Sequence, residues 1–361
     1  MKKVLFASTA LIATAGVAAA EINFSGYGRF GIGYKEDRTG SYDVVRTTPT
    51  TVSTAGGGTA VVTQTSNASV ATQTDDVILV SRFRLNIDGI AETDGGVRFE
   101  GRVRLQADEN SGNGEAGSAG LNGARFSVIY GGLRVDAGNV AGAFDNLANY
   151  YGNEVGLELF AGQYSGVNYS FLGYSSTGSG SNAVFFQYSV GDFSFGASYD
   201  QATLATVPAT AAGVPTGPAT FTDADRWDIS ATYTFNNITA ALAYGQTDAG
   251  AGSDPSLTVL TLGGEWGDFS GTLFVADDAT KVAATDGTAW GLSAAYNLGA
   301  ATTLLFTYGD GNASADLQQV AIGAIYDLGG GASLRGGIGR NDCDSCASDT
   351  IVADFGAQFN F

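Results

Sequence analysis

The chain has 361 residues, 53 of them glycine and only five proline, with no histidine and a formal charge of −19. The acidic balance excludes a nucleic-acid partner, which needs a basic footprint. The missing histidine removes the commonest general base and transition-metal ligand.

The first twenty residues read as an export signal. Met1-Lys2-Lys3 is basic, Val4–Val17 is apolar, and Ala18-Ala19-Ala20 offers a small-residue cleavage site before Glu21. The apolar run is shorter than the roughly 20 residues a spanning helix needs. Residues 1–20 are therefore expected to be cleaved, leaving residues 21–361 as one domain.

From Glu21 onward the text alternates at period two, as strands with two unlike faces do. Ile22, Phe24, Phe30, Ile32 and Tyr34 oppose Asn23, Ser25, Tyr27 and Arg29. Residues 36–76, rich in Thr, Ser and Gly, lack an apolar period and read as one long loop. A hairpin over Val77–Asp108 follows. Leu79, Phe83, Leu85, Ile87, Val97, Phe99, Val103 and Leu105 lie on one face, and Arg82, Arg84, Arg98, Arg102 and Arg104 on the other. Five arginines cannot sit in a dry core, because unpaired buried charge is prohibitively costly. That face must meet water.

A connection over 109–123 leads to a hairpin turning at Gly131-Gly132, with Arg125 and Arg134 on the polar parity. The connection Val140–Asn182 is long and unlike the first. Phe144, Asp145, Tyr150, Tyr151, Glu154, Glu158, Phe160 and Tyr164 give it the content of a packed loop, and long structureless connections are uncommon unless functional or disordered. Beyond it, strands turn tightly at Gly191-Asp192, Asn236-Asn237, Gly267-Asp268, Gly299-Ala300 and Gly329–Gly331, and longer, more acidic links alternate with these turns, residues 201–226 among them.

Sixteen strands result, with every short link at one end and every long link at the other. This is the pattern of a transmembrane barrel. Aromatics near strand ends on the apolar parity, among them Phe24, Tyr130, Trp227, Phe235, Trp266, Phe269 and Tyr296, suit interfacial girdles. Lipid admits β-structure only when closed, and a barrel of this size holds water. The expected fold is all-β: a 16-stranded antiparallel transmembrane β-barrel with short periplasmic turns and long external loops, the arginines facing its lumen. A soluble sandwich or adhesin is the competing architecture.

Tyr326-Asp327-Leu328-Gly329-Gly330-Gly331-Ala332-Ser333, Val352–Gly356 and the ending Phe359-Asn360-Phe361 resemble the last hairpin of general diffusion porins from purple non-sulfur photosynthetic bacteria and related organisms. Ser25-Gly26 with Arg29, Ser81–Arg84 and Tyr233–Asn237 are also similar to that family. The resemblance implies a homotrimer in the outer membrane of a Gram-negative bacterium, amid lipid and lipopolysaccharide, with a third loop folded into the pore. Phe361, with Phe359, Ala357 and Phe355, is similar to the signal read by the outer-membrane assembly machinery.

By chain order the third long connection is Val140–Asn182. Its Asp145, Glu154 and Glu158 are expected opposite a basic wall of Arg29, Arg82, Arg84, Arg98, Arg102, Arg104 and Arg134, where opposed charges would set a transverse field across a narrow aqueous gap. Pairing of the arginines with nearby Asp88, Glu100 and Asp136 is the simpler alternative. The expected function is passive diffusion of ions and small hydrophilic solutes, with a substrate-selective channel or a non-conducting barrel as alternatives. Without histidine a triad-like enzyme site is not expected. Cys343 and Cys346 are expected to form a small local disulfide in an exported protein. No cofactor is required. Solvated charge is the simpler reading of the acids in the long loops (Asp75-Asp76, Asp223, Asp225, Asp342, Asp344); Ca²⁺ bound there is what the resemblance implies, although their spacing matches no EF-hand.

Overall fold

The computed structural model describes residues 20–53, 59–110, 115–206, 210–211, 214–215, 220–248 and 254–361. Nearly all of the expected export signal lies outside them. The barrel strands are β1 (Glu21–Lys35), β2 (Val77–Glu92), β3 (Arg98–Asn110), β4 (Arg125–Tyr130), β5 (Leu133–Gly138), β6 (Ala183–Val190), β7 (Phe193–Thr206) and β8 (Thr220–Phe235). They continue as β9 (Ile238–Asp248), β10 (Ser256–Trp266), β11 (Phe269–Ala279), β12 (Gly287–Leu298), β13 (Thr302–Gly311), β14 (Gln318–Gly329), β15 (Ala332–Asp342) and β16 (Thr350–Asn360).

Each strand pairs antiparallel with the next, and β1 pairs with both β2 and β16, so these 16 strands form a closed barrel. At the seam Phe361 and Gly26 exchange both backbone hydrogen bonds, at 2.9 and 3.0 Å. The Phe361 ring stacks on Phe83 with centroids 5.7 Å apart. The short turns begin with residues in the left-handed region, such as Gly131 (φ 57°) and Asn236 (φ 52°), residue types that tolerate it.

Side-chain parity divides inside from outside. Leu79, Phe99, Ile229, Leu260, Leu273, Ile322 and Phe355 are exposed on one face. Phe235, Trp266, Phe269, Tyr296, Tyr326 and Phe359 ring the short-turn end of that face, whereas Tyr199, Trp227 and Trp290 ring the other end. The opposite parity is polar or small and turns inward.

Two connections read as loops contain strands. Thr39–Ser53 pairs with Thr59–Gln73 as a separate hairpin, and β7 and β8 run on through the pair Thr206↔Thr220. An apolar period reports a buried face, whereas backbone pairing beyond the barrel rim needs only the β-propensity of Thr and Val. Glu115–Ala116 and Gly120–Leu121 likewise pair with β3.

The largest apolar cluster sits inside the barrel. Phe144, Leu147, Tyr150 and Tyr169 of the connection Val140–Asn182 pack on Ala241, Ala243, Leu257, Val259, Phe274, Ala276 and Ala289. These wall residues lie on the inward parity of β9–β12 and give the connection an apolar patch to cover. The lumen around it is wet, so the hydrophobic effect holds this segment down even though the outer wall faces hydrocarbon. Phe144→Ala should cost about 3–5 kcal/mol of docking. Hydrogen exchange should show amides near residues 143–150 losing protection while the strands keep theirs; unchanged loop protection would place the anchor elsewhere.

Candidate functional site

The site lies between the docked connection and the wall formed by β15, β16 and β1–β4. Strand pairing sets that wall. Across β2 and β3, Arg82 stands opposite Asp108, Arg84 opposite Gln106, Asn86 opposite Arg104 and Asp88 opposite Arg102. Across β1 and β2, Arg29 stands opposite Arg82, and Tyr27 opposite Arg84. Like charges directly opposite destabilise a sheet. The connection supplies the remedy: Glu158 Oε2 lies 2.7 Å from Arg29 Nη2, and its Oε1 lies 2.9 Å from Arg82 Nη2. All three side chains are at most 20 % exposed.

The backbone around Glu158 is held as firmly. Asp354, an inward carboxylate of β16, accepts hydrogen bonds from the amides of Leu157 (2.9 Å), Glu158 (2.8 Å) and Leu159 (3.1 Å). Successive amides wrapped round an oxyanion form a nest. Arg29 Nη1 donates to the Leu157 carbonyl at 2.5 Å. Gly156, at φ 73°, allows this turn, and a Cβ there would come within 2.3 Å of the Asp354 carboxylate. Burial outweighs the two arginines and holds the Glu158 carboxyl above the ordinary range.

Further anchors run along the inner wall. Gln319 Oε1 accepts from the Ala161 and Gly162 amides at 2.7 and 3.0 Å. Ser293 Oγ accepts from the Asn153 amide at 2.8 Å, Asp278 from the Tyr169 amide at 3.0 Å, and Ser198 Oγ from the Ala143 amide at 3.0 Å. At Gly291 a Cβ would meet the Gln163 carbonyl at 1.9 Å, so only glycine fits that contact.

The expected residues separate into groups. Arg29, Arg82 and Glu158 meet directly, and with Tyr27, Glu154 and Arg335 they line a cleft of about 440 Å³. Arg102 pairs with Asp88, its Nη2 2.9 Å from Oδ2. Arg98 pairs with Glu100 at 2.6 Å and Arg134 with Asp136 at 2.9 Å, both beside the short turns. Arg84 donates to Gln106 at 2.6 Å, and Arg104 to Asn86 at 2.8 Å. Asp145 turns into its own loop, accepting from the Tyr151 hydroxyl and from the Tyr174 amide at 3.0 Å. That carboxylate helps push the Tyr151 hydroxyl far up, although burial contributes more.

Arg335, Tyr27 and Tyr174, and the anchors Asp354, Gln319 and Ser293, were absent from the expected site. The inward Ala and Gly of β9–β12 were the readable signal for the docking side. No such signal marks Asp354, an acid on an alternating strand like many others. In the external connection between β15 and β16, Cys343 and Cys346 are disulfide-bonded, with Cα atoms 5.1 Å apart. Among the described residues no group of three or more Asp, Glu, Cys or His side chains converges as a metal cluster.

A family model described as Gram-negative porin matches residues 7–345. The porin of Fuscovulum blasticum is 30% identical over 94% of this chain and 100% of its own length. The porin of Rhodobacter capsulatus is 29% identical over 80% of this chain and 95% of its own. An engineered variant of Rhodopseudomonas blastica porin superposes with a TM-score of 0.68 at 26% identity, covering 94% of this chain and all of the other.

Replacing Asp354 by Ala strips the acceptor from three amides, and an unmet buried donor costs about 1–3 kcal/mol. A glutamate-specific protease should then cut at Glu154 or Glu158 in Asp354→Ala, while the barrel stays resistant. Asp354→Asn, which keeps one carbonyl acceptor, should be intermediate. Equal resistance in all three proteins would mean that the nest does not hold the segment.

Proposed function

This chain belongs to the Gram-negative porin family, an outer-membrane channel for passive diffusion, and we propose that Val140–Asn182 forms its constriction. The observation that carries this reading is Glu158, seated between Arg29 and Arg82 on the inner wall. A loop acid so placed narrows the aqueous path and fixes an acidic edge against a basic one. Ions and small hydrophilic solutes passing the cleft cross a field that orders water and discriminates by size and dipole.

The wider reading rests on the resemblance to porins and on the sequence. The protein works as a homotrimer without catalytic activity or required cofactor, amid outer-membrane lipid and lipopolysaccharide. Residues 1–20 direct export and are removed. Phe361, paired at the seam, doubles as the signal that the assembly machinery reads. Calcium, where it binds, is held by loop acids such as Asp75-Asp76, Asp225, Asp342 and Asp344. Equal melting with and without chelator would exclude it.

Planar-bilayer recording tests the constriction. Replacing Val140–Asn182 by a short turn should raise single-channel conductance, and an unchanged value would put the narrowest point elsewhere. Acidification gives a second check. Glu158 is ion-paired with two arginines, and a carboxyl raised above its ordinary value of 4.5 gains its proton earlier than a free one as pH falls. The lumen then gains positive charge, so the reversal potential should move toward anion selectivity at a pH above 4.5. Glu158→Gln should already show that selectivity at neutral pH and lack the step.

A further inference from the structure

The basic wall is two walls. Arg29, Arg82 and Arg102 are each ion-paired with Glu158, Asp108 or Asp88. Arg84, Arg104 and Arg125 are not: among the described residues none of them forms an ion pair with a carboxylate. Their direct contacts are neutral or aromatic, with the Asp108 and Asp136 carboxylates acting on Arg84 and Arg125 only from further away. Arg84 lies over the Tyr27 ring at 5.1 Å, and Arg104 and Arg125 lie over Tyr174 at 4.5 and 5.8 Å.

Two of these guanidinium groups converge on a single oxygen. Ser176 Oγ accepts from Arg104 Nη1 at 2.6 Å and from Arg84 Nη2 at 3.3 Å. Bringing two like charges onto one neutral hydroxyl is unfavourable unless something negative shares the site. Donors are also left over. Arg125 Nε and the Tyr174 hydroxyl are buried without a hydrogen-bond partner, and buried polar groups are nearly always satisfied. The cluster has more donors than acceptors in a protein whose overall charge is strongly negative.

We infer that Arg84, Arg104 and Arg125, with Tyr174 and Ser176, form a binding subsite for a small oxyanion of the carboxylate or phosphate class. Guanidinium groups suit such ligands because their planar donors match the oxyanion geometry. The Ser176 hydroxyl occupies the place of an anionic oxygen, and a bound oxyanion would supply the acceptors that the cluster lacks. The tyrosine rings hold the guanidinium planes while leaving their edges to the ligand. Docked on this side of the lumen, an anion would be concentrated next to the Arg29–Glu158–Arg82 bridge and handed on through the cleft. The inference rests on the channel reading and deepens it, from a general diffusion pore to one with preference for anionic solutes.

Planar-bilayer conductance in potassium chloride, titrated with inorganic phosphate at constant ionic strength, tests it. Phosphate should reduce the wild-type current saturably. Arg84→Gln and Arg104→Gln should each weaken that block roughly tenfold, the loss of one charge-assisted contact. Ser176→Asp should abolish it by placing a tethered carboxylate between the two arginines. Arg340→Gln, which removes an arginine from the external end of β15, should block like the wild type. A linear, non-saturating response, or equal block in the wild type and Ser176→Asp, overturns the subsite and leaves the channel intact. Absence of chloride conductance before phosphate is added overturns both.

Discussion

Closure is the constraint on which everything else depends. In hydrocarbon an unpaired strand edge leaves amides and carbonyls with no partner, so the sheet must return on itself. Here the return is made by β1, which serves β2 along one edge and β16 along the other. Once closed, the wall has one greasy and one wet side, and the period-two text of every strand acquires meaning. The arginines of β2 and β3 are acceptable because their side of the sheet faces water, and Leu79 and Phe99 because theirs faces lipid.

A wet lumen then sets the rules for the segment inside it. On the β9–β12 side, a cluster of inward Ala, Val, Leu and Phe is covered by Phe144 and Tyr150. On the opposite side, the inward positions are arginine and carboxylate, and the same segment presents Glu154 and Glu158. One connection thus has a dry face and a charged face, as each strand does, and it lies across the lumen because the two walls ask for different chemistry.

Most of the barrel was legible in the sequence because parity and turn residues are local signals. Sixteen strands, the side that meets water and the unusual character of Val140–Asn182 all follow from spacing and composition. What was not legible is instructive. The hairpin Thr39–Ser53 with Thr59–Gln73 has no apolar alternation in its sequence, so that signal is silent about it. Asp354 clasps three amides almost two hundred residues away, and nothing in its own strand distinguishes it from other inward acids. Asp145 has the composition of a wall partner but satisfies Tyr151 and Tyr174 within the loop. Side-chain type narrows the candidates, and only the tertiary register separates a carboxylate that faces arginine from one that braces a turn.

That register couples the pore to the barrel. Arg29 and Arg82 are direct cross-strand partners on the two strands next to the seam, a pairing that repels on its own. Glu158 converts the repulsion into two ion pairs, and Asp354, on the strand that closes the barrel, fixes the backbone that carries Glu158. A buried pair seldom adds net stability, but removing one partner strands the other charge, at a cost of about 3–5 kcal/mol. Losing Glu158 would leave Arg29 without its carboxylate and facing Arg82, which keeps only Asp108. The acid proposed to shape the aqueous path therefore also offsets the repulsion between Arg29 and Arg82 across β1 and β2, so the docked segment and the closed wall stand as one unit.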